Sequence, residues 1–159
     1  MRIIIRKFKE SDIEAISRIN QENWKHEFKN VYSKERINKS LARWAPEKAL
    51  NRLKRRLKNK WYIYVGVYAN QVVGFIIYHK EKNKIRVFGL YVDRKKHRKG
   101  IGYALLRFME KRTKAKNYSL VSASRKETLK FYEKMGYRRF RTIRHKKTGD
   151  IDVVMIKRK

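Results

Sequence analysis

The feature that most constrains this chain is a change of period at Trp61. Before it, apolar residues recur at helical spacing: Ile13, Ile16 and Ile19, then Ile37, Leu41 and Trp44, then Leu50, Leu53 and Leu57. After it come three runs rich in aromatic and β-branched residues, Trp61 to Tyr68, Val72 to His79 and Ile85 to Val92. The turns between them, Ala69-Asn70-Gln71 and Lys80 to Lys84, are too short for a crossover, so the runs read as antiparallel neighbours. Helical and strand patterns then alternate: a helix from Ile101 to about Lys114, a strand from Tyr118 to Ala123, a second helix that Gly136 ends, and strands from Tyr137 to His145 and Asp150 to Ile156. With a short strand around Ile3, Ile5 and Phe8, the order is β-α-α(α)-β-β-β-α-β-α-β-β, an α/β chain with a mixed sheet. Ser11-Asp12-Ile13-Glu14 and Ser124-Arg125-Lys126-Glu127 each have the form of a capping box. Pro46, the sole proline, suits a helix start, and Gly89 inside a strand marks a bulge or a close backbone approach. No linker composition or repeat interrupts the pattern, so residues 1–159 are expected to form one domain.

Composition narrows the chemistry. The chain has no cysteine, which excludes disulfides, thiolate metal sites and a cysteine nucleophile and fits a reducing, cytoplasmic setting. Apolar runs such as Phe75-Ile76-Ile77-Tyr78 fall far short of the roughly 18 residues that span a bilayer. Met1 to Ile5 meets charge at once and does not resemble a signal peptide. Against 14 Asp+Glu stand 45 Lys+Arg, a net charge of +31. Fourteen acids cannot pair that many bases, so an ion-pair network of the thermophile kind is not the explanation. A folded domain this basic attracts polyanions: nucleic acid, membrane surface or phosphorylated ligands. The helix from Lys48 to Lys60 and the run Arg138, Arg139, Arg141, Arg144, Lys146 and Lys147 are the candidate faces, although each also reads as a solvated surface.

Two segments carry chemistry. In Val92-Asp93-Arg94-Lys95-Lys96-His97-Arg98-Lys99-Gly100-Ile101-Gly102-Tyr103, a strand enters a basic loop that opens a helix. The first amides of a helix have no internal partner, and the macrodipole adds partial positive charge, so this spot suits a phosphate or diphosphate. Gly100 and Gly102 let the backbone approach such a group closely. The loop lacks the lysine of a Walker A motif and the third glycine of a dinucleotide fingerprint, and alone it reads equally as a solvated basic turn. In Phe131-Tyr132-Glu133-Lys134-Met135-Gly136-Tyr137 a helix ends and a strand begins, with Tyr132 one turn before the stop. A tyrosine hydroxyl there can donate a proton to a leaving thiolate or alkoxide, or it can be an ordinary core tyrosine.

Taken together, His97-Arg98-Lys99-Gly100-Ile101-Gly102 and the segment Phe131 to Tyr137, with flanking Leu90-Tyr91-Val92-Asp93 and Tyr103-Ala104-Leu105-Leu106, resemble the GNAT superfamily of N-acetyltransferases. The resemblance covers roughly residues 60–157. It implies a three-layer αβα GNAT-like fold and transfer of an acetyl group from acetyl-CoA, without a metal, directly to an amine in a ternary complex. By resemblance, Leu90, Tyr91 and Val92 pair with the pantetheine as an added strand would. The amides from Arg98 through Lys99, Gly100, Ile101 and Gly102 to Tyr103 hold the diphosphate, and Tyr132 is the general acid. Two positions depart from the family: His97 stands where Arg or Gln is usual, and Arg125 where many members have Asn, so either the Asn contact to the pantetheine or a water is lost or Arg125 binds a cofactor phosphate instead. No acid occupies Ile85 to Leu90, where some members carry a catalytic Glu, which leaves His79 as the candidate base, with Glu22 and Glu27 as weaker ones. In so positive a protein the acceptor amine would lose its proton readily, and water could serve. So cationic an enzyme is expected to repel polycationic acceptors. The expected acceptor is therefore an amine on an acidic protein or peptide or on a nucleic-acid-bound partner, with a small-molecule amine as a third reading and nucleic acid as a further partner. The competing reading is a non-catalytic nucleic-acid-binding module on a degenerate GNAT scaffold.

Overall fold

The computed structural model describes residues 2–159. Its strands are β1 (Ile4–Lys7), β2 (Trp61–Tyr68), β3 (Gln71–Glu81), β4 (Lys84–Val92), β5 (Asn117–Ala123), β6 (Arg138–Arg144) and β7 (Ile151–Arg158). Its helices are α1 (Ile13–His26), α2 (Lys34–Arg43), α3 (Pro46–Leu57), α4 (Ile101–Thr113) and α5 (Lys126–Lys134). The strands form one seven-stranded sheet in the order β1-β2-β3-β4-β5-β7-β6. Every neighbouring pair is antiparallel except β4–β5, which α4 connects. No described helix is long and apolar enough to cross a membrane.

Helices cover both faces of the sheet, so the central strands are buried on both sides and read as nearly continuous apolar runs. On one face Ile13, Ile16, Ile19, Ala49 and Leu53 of α1 and α3 pack on Ile63, Val65, Phe75 and Ile77. On the other, Ile101, Leu105, Leu106 and Met109 of α4 and Leu129 and Tyr132 of α5 pack on Tyr64, Ile76, Tyr78, Ile85, Val87 and Leu120. A third, smaller cluster of Tyr32, Ile37 and Ala123 joins α2 to the end of β5, flanked by Trp24, Phe28 and Leu41. Leu57, expected on the inner stripe of α3, instead lies exposed at the helix end.

Local geometry confirms some expectations and corrects others. Ala69 and Asn70 both take positive φ (48° and 62°), the two-residue hairpin geometry that matches strand twist. Pro46 opens α3, and Gly136 follows α5 with φ +92°. Neither capping box forms as written. Ser11 lies inside a 3₁₀ turn (Glu10–Asp12) ahead of α1. There Asp12 takes the work, its carboxylate accepting from the Lys9 amide at 2.8 Å and from both Arg6 terminal nitrogens at 2.8 and 2.9 Å. At α5 the residue in the N-cap place is Arg125, with no side-chain cap. The serine that does cap is Ser33, whose Oγ accepts from the Arg36 amide at 3.2 Å to start α2.

Candidate active site

Strands β4 and β5 pair over only four residues, Lys84–Val87 against Asn117–Leu120. At that point β4 bulges: Tyr78 of β3 pairs with Val87 and Ile77 with Gly89, leaving Phe88 unpaired. A bulge bends and twists its strand. Beyond it, Phe88 to Val92 have no partner on the β5 side, and a cleft of about 240 Å³ opens between the parting strands. Its walls include Phe88, Gly89, Leu90 and Tyr91 of β4 and Val121, Ser122 and Ala123 of β5. Trp24, Phe28 and Tyr32 close it from the N-terminal side, and Tyr132 of α5 from the other.

At the Val92 end of this cleft the chain enters the glycine-bearing loop. Gly100 precedes α4 with φ +79°, the left-handed region where glycine carries no steric penalty, and Arg98 also takes positive φ, 61°. The Ala104 amide is the first to bond back into α4, donating to the Gly100 carbonyl at 2.9 Å. The amides of Ile101, Gly102 and Tyr103 precede it and have no turn behind them to bond, so the helix starts with free amides of the kind that suit an anion. The two glycines do different work. A Cβ on Gly100 would meet nothing within 4 Å, whereas one on Gly102 would lie 3.3 Å from the Phe131 ring. Gly102 therefore lets α4 and α5 approach, rather than clearing room for a phosphate.

The predicted residues separate into those the fold gathers and those it does not. Leu90, Tyr91 and Tyr132 line one cleft, and Val92 leads from it to the loop of Arg98, Lys99 and Gly100. The Tyr132 side chain is buried, which, with the nearby Tyr91 hydroxyl, pushes its phenol well above the ordinary tyrosine range. It stays protonated at neutral pH, as an acid must. His97 turns back on the strand, its Nε2–H donating to the Val92 carbonyl at 3.0 Å, a carbonyl that Asn23 Nδ2 also engages at 2.9 Å. Arg125 pairs with Glu27 at 2.7 Å, and Glu27 accepts from Arg94 Nε at 3.1 Å, so one carboxylate bridges the loop after β4 and the start of α5. Burial raises the Glu27 carboxyl, but Arg94, Arg125 and His97 outweigh it and hold the group below its usual range. Clamped and ionised, Glu27 makes a poor base, and Glu22 is engaged with Arg18 at 3.5 Å on α1.

His79 requires a correction. It pairs with Arg86 near the far end of β3, beside Trp61 and 3.2 Å from Glu81, and it is not among the residues lining the cleft. Strand register puts it on the closed side of the β4–β5 junction, so it does not meet Tyr132.

Sequence reasoning missed Asp152. It is 2% exposed and lines the cleft from β7. Its carboxylate accepts from the Tyr32 hydroxyl, from Arg36 Nη2 at 2.7 Å and from His145 Nε2 at 2.8 Å. The Arg36 guanidinium lies 3.9 Å from the centre of the Tyr32 ring, which stacks on Trp24. Nothing in the run Ile151-Asp152-Val153 distinguishes this aspartate by pattern; the signal is three-dimensional, because α2 and the segment before it reach β7 only in the folded chain. Among the described residues no group of three or more His, Asp and Glu side chains is placed to hold a metal ion.

Comparison with known proteins agrees with this arrangement. A family model described as an acetyltransferase (GNAT) domain matches residues 14–158. A spermidine N(1)-acetyltransferase of Thermoplasma acidophilum is 32% identical over 118 residues, covering 73% of each chain. The crystal structure of PaiA N-acetyltransferase from Thermoplasma acidophilum, in complex with coenzyme A, superposes with a TM-score of 0.85 at 27% identity over the full length of both chains. A ribosomal-protein-alanine N-acetyltransferase from Brucella melitensis shares the fold, with a TM-score of 0.78 at 16% identity over 98% of this chain and 99% of that one. With its splayed strands, its glycine-opened helix and a family match running nearly end to end, the chain belongs to the GNAT acetyltransferases.

Proposed function

We propose that this enzyme, a single domain over residues 1–159, moves an acetyl group from acetyl-CoA to a primary amine by direct attack within a ternary complex. The observation that carries the reading is the cleft itself: a strand edge without a partner, the free amides of α4 at its mouth and a neutral phenol inside. Leu90, Tyr91 and Val92 offer that edge to the pantetheine amides. The amides from Arg98 to Tyr103 take the diphosphate, with Lys99 and neighbouring cations adding field. His97 and Arg125, engaged with Val92 and Glu27, act by shaping the loop and the cleft mouth.

In the reaction, the neutral acceptor nitrogen attacks the thioester carbonyl carbon, and the C=O electron pair moves to oxygen. Collapse of that intermediate breaks the C–S bond. Tyr132 gives its proton to the departing thiolate, the nitrogen releases one proton to solvent, and solvent returns one to Tyr132. No candidate side-chain base stands free beside Tyr132, which supports water as the proton carrier. We favour a small polyamine-type acceptor over a protein amine. The relative of 32% identity bears the name of a spermidine acetyltransferase, and the acceptor side of the cleft is walled by Trp24, Phe28 and Tyr32 with the Asp152 carboxylate among them. The non-catalytic alternative gains nothing from these observations.

The test is labelled acetyl-CoA with spermidine, or with a panel of peptides, analysed by mass spectrometry. An acetylated polyamine formed in preference to peptides supports the reading. An acetylated peptide with untouched spermidine overturns the acceptor, and no acetyl transfer to any amine overturns the reaction.

A further inference from the structure

Part of the positive charge gathers on α3, which packs on the face of the sheet opposite α4. Arg43 at the end of α2 and Arg52, Arg55 and Arg56 on α3 form a group in which, among the described residues, no member pairs with an acid; on α3 only Lys54 does, with Glu10 at 3.1 Å. The four crowd one another. Burial first, then Arg43, Arg56 and Arg55, push Arg52 down to about 10, and burial with Arg43 lowers Arg56. Arg52 Nη1 donates to the Arg43 carbonyl at 2.8 Å, while its buried Nε has no partner.

These guanidiniums alternate with rings. Arg52 lies 5.0 Å from the Trp44 ring centre, Arg56 lies 4.4 Å from Trp61 and 5.6 Å from Phe88, and Arg86 lies 5.5 Å from Phe88. Phe88 is 46% exposed, packs on Trp61 at 4.2 Å and also lines the active-site cleft. The patch therefore runs from α3 to the edge of the cleft. Catalysis does not account for it, because the amides that suit the CoA phosphates open α4 on the opposite face of the sheet. Like charge gathered without acids strains the folded state unless a polyanion covers it.

We propose that this arginine–aromatic face docks single-stranded RNA, with guanidiniums on successive phosphates and the Trp61–Phe88 edge offering a stacking platform to bases. Planar cations beside the half-buried rings of Trp44 and Trp61 and the exposed ring of Phe88 suit a flexible polyanion with π-faced bases. An acidic protein would use the charge and leave the rings idle, and a lipid surface is served as well by lysines.

Fluorescence anisotropy of a labelled oligouridylate with the full-length protein, across a KCl series, tests this. The expected result is salt-dependent binding that Arg52→Gln/Arg55→Gln/Arg56→Gln weakens by about tenfold or more, with the log–log salt slope reduced by about 2, since each single-strand phosphate contact contributes roughly 0.7. An equal charge loss on the edge strand, Arg138→Gln/Arg141→Gln/Arg144→Gln, is expected to change affinity less than about threefold. Phe88→Ala should weaken binding at unchanged slope. Circular dichroism and thermal stabilisation by acetyl-CoA, both expected to be retained in the α3 variant, separate loss of docking from loss of fold or of the acyl-donor site. Equal effects of the two triple variants, no RNA binding, or displacement of the RNA by phosphatidylserine vesicles would overturn the proposal.

Discussion

At the scale of single residues, the prediction with the most leverage concerns Tyr132. Tyr132 lines the cleft and its phenol is held neutral by burial, so Tyr132→Phe removes a proton donor and almost no volume. We expect kcat to fall by about 100-fold or more, the low end of what a positioned acid contributes, with acetyl-CoA affinity by calorimetry unchanged. An unchanged kcat would assign the residue to packing. The sign of its pKa shift adds a second check. A phenol raised above the ordinary range stays protonated well past pH 9, so wild-type kcat/KM should climb through pH 7–9 as the acceptor amine loses its proton, with no falling limb from Tyr132. Tyr132 was legible in the sequence because its neighbours Phe131, Gly136 and Tyr137 carry a pattern. Asp152 was not, because what makes it special is contact with Tyr32 and Arg36, more than a hundred residues away in sequence, alongside the nearby His145. His79 misled for the complementary reason: the residue type alone says nothing about which end of a strand the site occupies. A further acid has a stability signature of its own. Burial raises the Asp12 carboxyl, but the Arg6 guanidinium and the Lys9 amide outweigh it and depress it overall. Its contribution is therefore full above the unfolded carboxylate range near pH 4 and lost as pH falls through the lower folded value. Arg6→Ala should flatten that acid limb in a pH series of melting temperatures.

At the scale of elements, the two loop glycines separate conformation from packing. Gly100→Ala introduces a side chain into open space at φ +79°, so its cost is the left-handed backbone alone, about 1–2 kcal/mol. Gly102→Val sets branched carbons against Phe131, already 3.3 Å from where a first one would sit, and must part α4 from α5 beside Tyr132. We expect the first variant to melt a few degrees lower with kcat nearly intact. The second should lose kcat as well, because Tyr132 moves with Phe131; identical kinetics in the two would remove this distinction. Element order and the hairpin at Ala69-Asn70 were readable because both depend on local periodicity and turn chemistry. Gly89 correctly marked the bulge in β4. The insertion of β7 between β5 and β6 was not readable, since non-local pairing leaves no mark on spacing. The caps failed for a physical reason: Ser11 competes with an aspartate that a nearby arginine draws in, and Arg125 is claimed by Glu27.

At the scale of the whole molecule, 45 basic and 14 acidic residues act on the two substrates in opposite directions. Acetyl-CoA carries several negative charges and is drawn into a positive field, whereas a polyamine is repelled by it. Added salt shortens the Debye length from about 30 Å at 0.01 M to about 8 Å at 0.15 M and weakens both effects. Between those conditions the KM for acetyl-CoA should therefore rise and the KM for spermidine fall, with kcat little changed. Initial rates with one substrate varied and the other saturating separate the two. Self-repulsion is screened by the same salt, and each kcal/mol recovered should raise the melting temperature by about 2–4 °C in a protein of this size. If both KM values instead rose together, spermidine would be attracted at its site rather than repelled, and the local field of the cleft, where Asp152 lies, would outweigh the net charge of the molecule. The whole-molecule argument would then give way to a local one, while the chemistry at Tyr132 would stand.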